Sequence, residues 1–320
     1  MLIYLLRIGI AVFLIFIVLS MVDFHRMLVT LTSVKPSLII AGLLMMLVNY
    51  CLKTYRWASI LWIRRPDISF VQLVRFNFVS IFLGYFLPTS LSSDIVRIYY
   101  VSQHTTDARA AISSIFADRI IGTFSLAIVT IIAFFILRET EVFAISSVLS
   151  YGILGFLILT LMLPFLIRSK SLLSVIRWLL DSVSQKRLFA TVQDMSEHLR
   201  LYQTQQAVMV KALSISFLNL IIAVLEFYII ARAFSAPVSI GYFLLFIPLV
   251  ILLATLPVSM GGMGLLEGGI VFLFTKVGMP VEMCLSTALL YRALQLTCML
   301  PGAAIYLMNG FSVKALTTEA

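Results

Sequence analysis

Charge is scarce in this sequence: Asp, Glu, Lys and Arg together supply 12% of its 320 residues, roughly half the share of a typical soluble domain. Hydrophobic residues supply 62% and the mean hydropathy is +1.10. No water-facing surface hides that much apolar area, so a soluble globular protein is excluded and an all-α polytopic membrane bundle is predicted. Cysteine is sparse too. Cys51, Cys284 and Cys298 fall in or beside apolar runs; an odd count without CxxC spacing argues against a disulfide framework or a thiolate metal site. The three histidines, His25, His104 and His198, are far apart and form no HExxH-like pattern, so no metal and no other cofactor is expected. The sequence has no GxxxxGK[ST] loop, which removes a P-loop ATPase as its source of energy. Acidic residues are fewer than basic ones, 14 against 23, for a net charge of +9. In a membrane protein that excess belongs to cytoplasmic loops and gives no reason to expect nucleic acid as a partner.

A spanning helix needs about 20 mostly apolar residues. Six stretches meet this: Leu2–Val22, Pro36–Leu61, Ile115–Leu137, Val142–Ile167, Ala207–Ala233 and Leu285–Met308. The first is longer than a signal-peptide core and lacks a small-x-small cleavage site, so a retained helix is expected. Two more apolar regions, 69–101 and 240–277, are each interrupted near the middle, by "LPTSLSS" at Leu87–Ser93 and "LPVSMGG" at Leu256–Gly262. The cationic segment 168–206 and the Arg64/Arg65 pair belong in the cytoplasm, whereas the R-E-T-E loop at Arg138–Glu141 does not. Both chain ends then face the cytoplasm, provided each broken region enters and leaves on one side. The two dips come from opposite faces. The chain reads as a single membrane domain over 1–320: an N-terminal helix and loop (1–35), a first half (36–167), a cytoplasmic amphipathic segment (168–206) and a second half (207–309).

The breaks carry the chemistry. Pro88 and Pro257 lack an amide hydrogen and end a helix. Ser90, Ser92 and Ser93, like Ser259, Gly261, Gly262 and Gly264, supply hydroxyls or open backbone. Irregular backbone at membrane depth persists only where protein buries it or a cavity is lined by it. A helix that restarts there presents N–H groups and partial positive charge to an anion. An arginine follows each break: Arg119 lies 31 residues after Pro88, and Arg292 lies 35 after Pro257. Paired interruptions at corresponding positions are the pattern of an inverted-repeat transporter.

A charge at the bilayer centre costs on the order of 3 kcal/mol on insertion scales. Asp94, Arg97, Asp118, Arg119, Glu226, Glu267 and Arg292 all fall in apolar surroundings. Asp94 and Arg97 share a helical face and can pair. Asp118 and Arg119 point roughly 100° apart and need different partners; Arg97 and Arg292 are candidates for Asp118. Lys53, Arg56 and Lys211 sit near helix ends and read as snorkelling residues without a functional role. Within 168–206 the apolar residues follow helical spacing, suited to the inner face of the bundle or to an anionic leaflet.

The segments "FLPTSLSSDIVRIYYV", "ARAAISSIFADRIIG", "LPVSMGGMGLLEGG" and "ALLYRALQLTCMLPGAAIYL" resemble the flippase-like membrane domain of lysylphosphatidylglycerol synthases, from about Val48 to Leu307. By that resemblance the lipid-headgroup residues are Ser92, Ser93, Asp94 and Arg97 in the first motif and Asp118 and Arg119 in the second. Ser259, Gly261, Gly262, Gly264 and Glu267 form the third, and Arg292 is the late arginine. One departure is Ser92-Ser93 where the family has Gly-Gly: serine adds hydroxyls but narrows close backbone approach. The synthases' soluble aminoacyltransferase domain is not in this sequence, so that activity is not expected of it.

The resemblance implies translocation of a lipid with a phosphate headgroup, an anionic phospholipid or a polyprenyl-phosphate-linked intermediate, across the cytoplasmic membrane. Two alternatives stand beside it. One is an integral membrane enzyme of lipid-linked glycan or phospholipid metabolism, although no Ser/His, Cys/His or aspartate-rich metal pattern is present. The other is an accessory subunit that docks a glycosyltransferase or synthase on the basic segment. Homo-oligomers are compatible with each.

Overall fold

The computed structural model describes residues 34–86, 92–105, 108–137, 155, 158, 205–255 and 259–309. The expected helices at Leu2–Val22 and Val142–Ile167 (positions 155 and 158 apart), the cytoplasmic segment as far as residue 204, and Pro88, Ser90 and Pro257 lie outside the described residues.

Eight α-helices and no strands are present among the described residues: α1 (Pro36–Leu61), α2 (Phe70–Phe86), α3 (Ser92–His104), α4 (Ala108–Leu137), α5 (Gln206–Ala233), α6 (Ile240–Thr255), α7 (Leu265–Phe274) and α8 (Val281–Asn309). Short 3₁₀ turns at Met260–Gly262 and Thr275–Val277 flank α7. Four helices, α1, α4, α5 and α8, are long and apolar enough to cross a membrane; the 26 residues of α1 span about 39 Å. Pro36 starts α1, where its missing amide costs nothing. Many hydroxyls inside the helices bond back to carbonyls one turn earlier, as Thr54 does to Tyr50 (2.8 Å) and Thr130 to Leu126 (2.7 Å), which spares an apolar environment an unsatisfied group; Ser286 of α8 is buried without such a partner. Exposed Ile40, Leu44 and Val48 on α1, and Leu296, Leu300 and Leu307 on α8, give the outer surface its apolar face. These features make the protein a multi-pass membrane protein. The helix expected at Ile115–Leu137 starts earlier, at Ala108, because its first turns are polar and escape a hydropathy reading.

Both interrupted regions turn back on themselves. In the first, Gly84 abuts Ser93, Phe76 stacks on Tyr100 (5.6 Å between ring centroids) and Gln72 reaches His104 (3.3 Å), so α2 and α3 form an antiparallel hairpin. In the second, Gly262 abuts Ala254, Gly269 touches Val250 and Phe246 meets Phe274 (5.1 Å), and α6 and α7 do the same.

The two halves correspond with a constant shift of 173 positions, which carries Asp94 to Glu267 and Arg119 to Arg292. The same shift carries α1 onto α5, α2 onto α6, α3 onto α7 with its 3₁₀ turn, and α4 onto α8. Helix contacts obey this exchange: α4 packs on α6 as α8 packs on α2, and α1 packs on α4 as α5 packs on α8. At the centre α1 lies against α5. Gly42 faces Ile230, Asn49 bonds Glu226 and Arg56 bonds Ser216, so these equivalent helices run in opposite directions. Buried apolar residues form one cluster in the first half around Trp57, Leu73 and Tyr100, and one in the second around Phe227, Phe246 and Phe274. A third, with Met46, Phe78, Ile230 and Leu294, spans the seam.

Close approach at the seam depends on Gly302. A Cβ there would lie 2.2 Å from the Phe78 carbonyl oxygen, and backbone cannot yield as a side chain can. Gly302→Ala is expected to push α8 off α2 and lower stability by about 1–3 kcal/mol, the usual cost of overpacking. Unfolding of the purified protein in mixed micelles with increasing dodecyl sulfate checks this; an unchanged midpoint would contradict the close packing.

Candidate functional site

A cavity of about 310 Å³ opens between α1, α4, α5 and α6, with Arg97 of α3 at its edge. Four cationic side chains line it: Lys53 and Arg56 from α1, Arg97 from α3 and Arg119 from α4. Asp118 is the acidic residue in its wall, and Thr123, Ser125, Ser216, Asn219 and Thr255 are among its uncharged polar residues.

The charges are ordered by two carboxylates. Asp118 receives a two-point fork from Arg56, Nε to Oδ1 at 2.7 Å and Nη2 to Oδ2 at 3.0 Å, the geometry in which a guanidinium and a carboxylate bind most strongly. Arg56 Nη1 donates a third bond to Ser216 Oγ on α5 at 2.8 Å. Gly122, one turn after Asp118, makes room for this: a Cβ there would meet the two terminal Arg56 nitrogens at 3.2 and 3.3 Å. Asp94 stands in the first turn of α3, where the helix dipole favours a negative charge. Its Oδ1 accepts from Arg97 Nη2 and its Oδ2 from Arg119 Nε. The Arg97 guanidinium also lies over the buried Trp57 ring, 5.2 Å from its centroid, a favourable cation–π placement.

Several polar groups near the cavity, donors for the most part, remain unused. Arg97 Nε and both amide atoms of Asn219 are buried without a hydrogen-bond partner. Lys53 has no hydrogen bond or ion pair among the described residues; its ammonium lies 5.8 Å from the Tyr50 ring centroid. A site with unsatisfied cationic and amide donors is suited to an anion.

The second half repeats part of this scaffold without the cavity. Glu267, in the first turn of α7, accepts from Arg292 Nε at 2.8 Å and from the Gly264 amide at 2.7 Å. Glycine has no side chain with which to complete a capping box. Arg292 Nη1 also reaches the Gly261 carbonyl (3.1 Å) and Gln295 (3.3 Å). Gly261, Gly262 and Gly264 all have positive φ, at 55°, 69° and 79°, which explains glycine in this turn. The equivalents of Arg56, Arg97 and Asp118 are Ile229, Ile270 and Tyr291. Tyr291 stacks on Phe227 at 4.1 Å and fills space that is hollow in the first half.

Residues 4–302 match the family model described as the lysylphosphatidylglycerol synthase TM region. The chain belongs to that family. Comparison with curated proteins returns no match.

Of the residues that the sequence singles out, the structure brings Arg97, Asp118 and Arg119 together in the cavity wall with Asp94 behind them. Ser92 and Ser93 lie in the first turn of α3. Neither has the left-handed backbone of the glycines in the second motif, since Ser235 is the positive-φ non-glycine residue among those described. Helical backbone of this kind does not require glycine. Ser259, Gly261, Gly262, Gly264, Glu267 and Arg292 form a separate cluster around the second break. Ser259 is buried with its hydroxyl unpartnered.

Two expectations are corrected. Asp118 pairs with Arg56, not with Arg97 or Arg292. Arg56 and Lys53 are therefore not snorkelling residues: both line the cavity. The signal that could have found Arg56 is the need of buried Asp118 for a cation other than its neighbour.

Proposed function

We propose that this protein carries a lipid with a phosphate-bearing headgroup across the cytoplasmic membrane, both chain ends facing the cytoplasm. The observation that supports this reading best is the cavity between the halves, where Lys53, Arg56, Arg97 and Arg119 meet. A headgroup enters it while the acyl chains stay among the lipids. The hairpins α2–α3 and α6–α7 act as re-entrant gates, and rocking of one half against the other exposes the headgroup to alternate sides. The opposed sense of α1 and α5 suits such motion, because one packing rearranged in mirror roles gives the other state. A carrier of this kind draws on a gradient or on downstream consumption of its product.

Reconstitution in liposomes with fluorescent phospholipid and polyprenyl-phosphate analogues tests the proposal, leaflet exchange being read by dithionite quenching. Exchange by the wild type is expected to fall at least tenfold in Arg97→Ala and Arg119→Ala, each of which removes a direct anion contact of about 1.5–3 kcal/mol. If folded wild-type protein exchanges no lipid of either class, the carrier reading fails, and an enzyme or docking subunit of lipid metabolism takes its place.

A further inference from the structure

One buried carboxylate stands outside both ion-pair clusters. Glu226 of α5 is 1% exposed and forms no ion pair among the described residues. Its Oε2 accepts from Asn49 Nδ2 at 3.2 Å, and its Oε1 has no partner. Asn49 is left in the same condition: its Oδ1, also an acceptor, is buried and unpartnered. A single hydrogen satisfies both oxygens. A carboxylic acid and a primary amide join by two bonds, O–H to the amide oxygen and N–H to the acid carbonyl, whereas an ionised carboxylate can only accept. The site adjoins the cavity, since Asn49 stands one turn before Lys53 on α1 and Glu226 one turn after Ala223 on α5, and Lys53 and Ala223 line the wall.

The groups that face Glu226 are few. From α1 they are Tyr50 and Lys53, and from α8 Tyr291 and Cys298. Arg292, next to Tyr291, is held by Glu267. Helix α6 carries no charged residue, and the α4 charges at the cavity, Asp118 and Arg119, are bonded to Arg56 and Asp94. On α5 itself Lys211 and Arg232 stand near the two ends. Lys53 is thus the cation that favours an ionised Glu226, and it does so without touching it.

On the reading that this chain is a lipid carrier, we infer that Glu226 is its proton-binding site, a neutral acid bonded twice to Asn49 in this conformation, which yields its proton to cavity water when the α1–α5 seam shifts. An ionised carboxylate with one neutral donor is costly inside a membrane bundle, and a protonated one is not. The Asn49–Glu226 bond crosses the seam, so rocking that slides α1 along α5 parts the acid from its amide. Glu226 then turns to Lys53, whose ammonium stabilises the carboxylate that forms. The acid O–H bond breaks, its electron pair stays on the carboxylate and the proton leaves with water; the return movement reloads the acid from the water that the opposite state admits. Lys53 and Glu226 occupy equivalent positions of the two halves, 173 residues apart, so the two helices that meet at the centre carry a base and an acid at corresponding places. One proton per cycle ties lipid movement to the proton gradient.

The test reads the proton and the transport separately. In the infrared difference between wild type and Glu226→Gln in nanodiscs, the carbonyl band of a protonated carboxylic acid is expected at neutral pH. In Asn49→Leu that band is expected to move to higher frequency as its hydrogen bonds are lost. Absence of the band from the wild type overturns the inference. Glutamine keeps both bonds to Asn49 but has no proton to give. Glu226→Gln is therefore expected to unfold at or above the wild-type temperature, yet to exchange lipid in liposomes at least tenfold more slowly. An imposed pH gradient is expected to drive labelled lipid toward one leaflet with the wild type and to have no such effect with Glu226→Gln. Wild-type exchange that ignores the gradient, or a Glu226→Gln variant that exchanges at the wild-type rate, overturns the inference and leaves the carrier standing. Failure of the carrier reading looks different: folded wild-type protein shows the acid band but exchanges no lipid with or without a gradient, which overturns the coupling and keeps the proton.

Discussion

Asp118→Ala is expected to lower the stability of the bundle by about 3–5 kcal/mol, the usual cost of breaking a buried ion pair from one side. The loss is large because Arg56 stays in place, its side chain 11% exposed, with a serine hydroxyl as its remaining acceptor. Arg56→Ala strands the carboxylate and is expected to cost about as much. The double variant Arg56→Met/Asp118→Leu separates the pair's worth from the cost of orphaning a charge, since an apolar replacement of a buried pair is often neutral or stabilising. It is expected to regain most of the stability and none of the lipid exchange. Dodecyl sulfate unfolding gives the first quantity and liposome assays the second. A double variant as unstable as the sum of its parents would mean that Arg56 and Asp118 contribute independently.

The second large effect is expected at the two acidic residues that follow the breaks. Asp94→Asn removes the negative charge shared by Arg97 and Arg119 and one of its two accepting oxygens, and turns an amide donor toward a guanidinium. A loss of about 3–5 kcal/mol is expected, together with loss of exchange. Glu267→Gln removes the partner of Arg292 and weakens the bond that holds the Gly264 amide, with a comparable loss. Asp94 and Glu267 share no partner, so the double variant is expected to be additive within about 0.5 kcal/mol. A clear departure from additivity in the same unfolding experiment would show that the two hairpins respond as one unit, against the independence of their ion pairs.

Much of this scaffold was legible as hydropathy. Pro36–Leu61 appears with the expected bounds, and α5 and α8 differ from expectation by one to four residues at their starts, because a continuous apolar run is the direct physical requirement for crossing lipid. Both interruptions were legible as proline and small residues. The repeat was measured from the wrong landmark. From each proline the arginines lie at unequal distances, but from the acids they pair with, Asp94 to Arg119 and Glu267 to Arg292, the separation is 25 in both halves. The turn of the second half is longer by the glycine-rich stretch before Glu267, so the spacing that counts is between charges that touch. Arg56 was not legible, because its partner is 62 positions away and no local pattern reports a contact between helices. That the charged side of the cavity comes from the first half alone became visible only when the halves were aligned and Arg56, Arg97 and Asp118 fell opposite Ile229, Ile270 and Tyr291.

The distribution of ion pairs has a consequence for how such a chain enters a bilayer. Among the described residues every ion pair closes inside one half: Arg56 with Asp118, Arg97 and Arg119 with Asp94, Arg65 with Asp67, and Arg292 with Glu267. Side-chain hydrogen bonds across the seam each have a neutral member, as in Asn49 to Glu226, Arg56 to Ser216 and Lys211 to Tyr55. A ribosome delivers α1 to α4 long before α5 to α8. The first half can therefore settle in lipid with these pairs already closed, and it waits for the second with apolar faces and a few polar groups, the Asn49 amide, the Tyr55 hydroxyl and the third Arg56 bond among them.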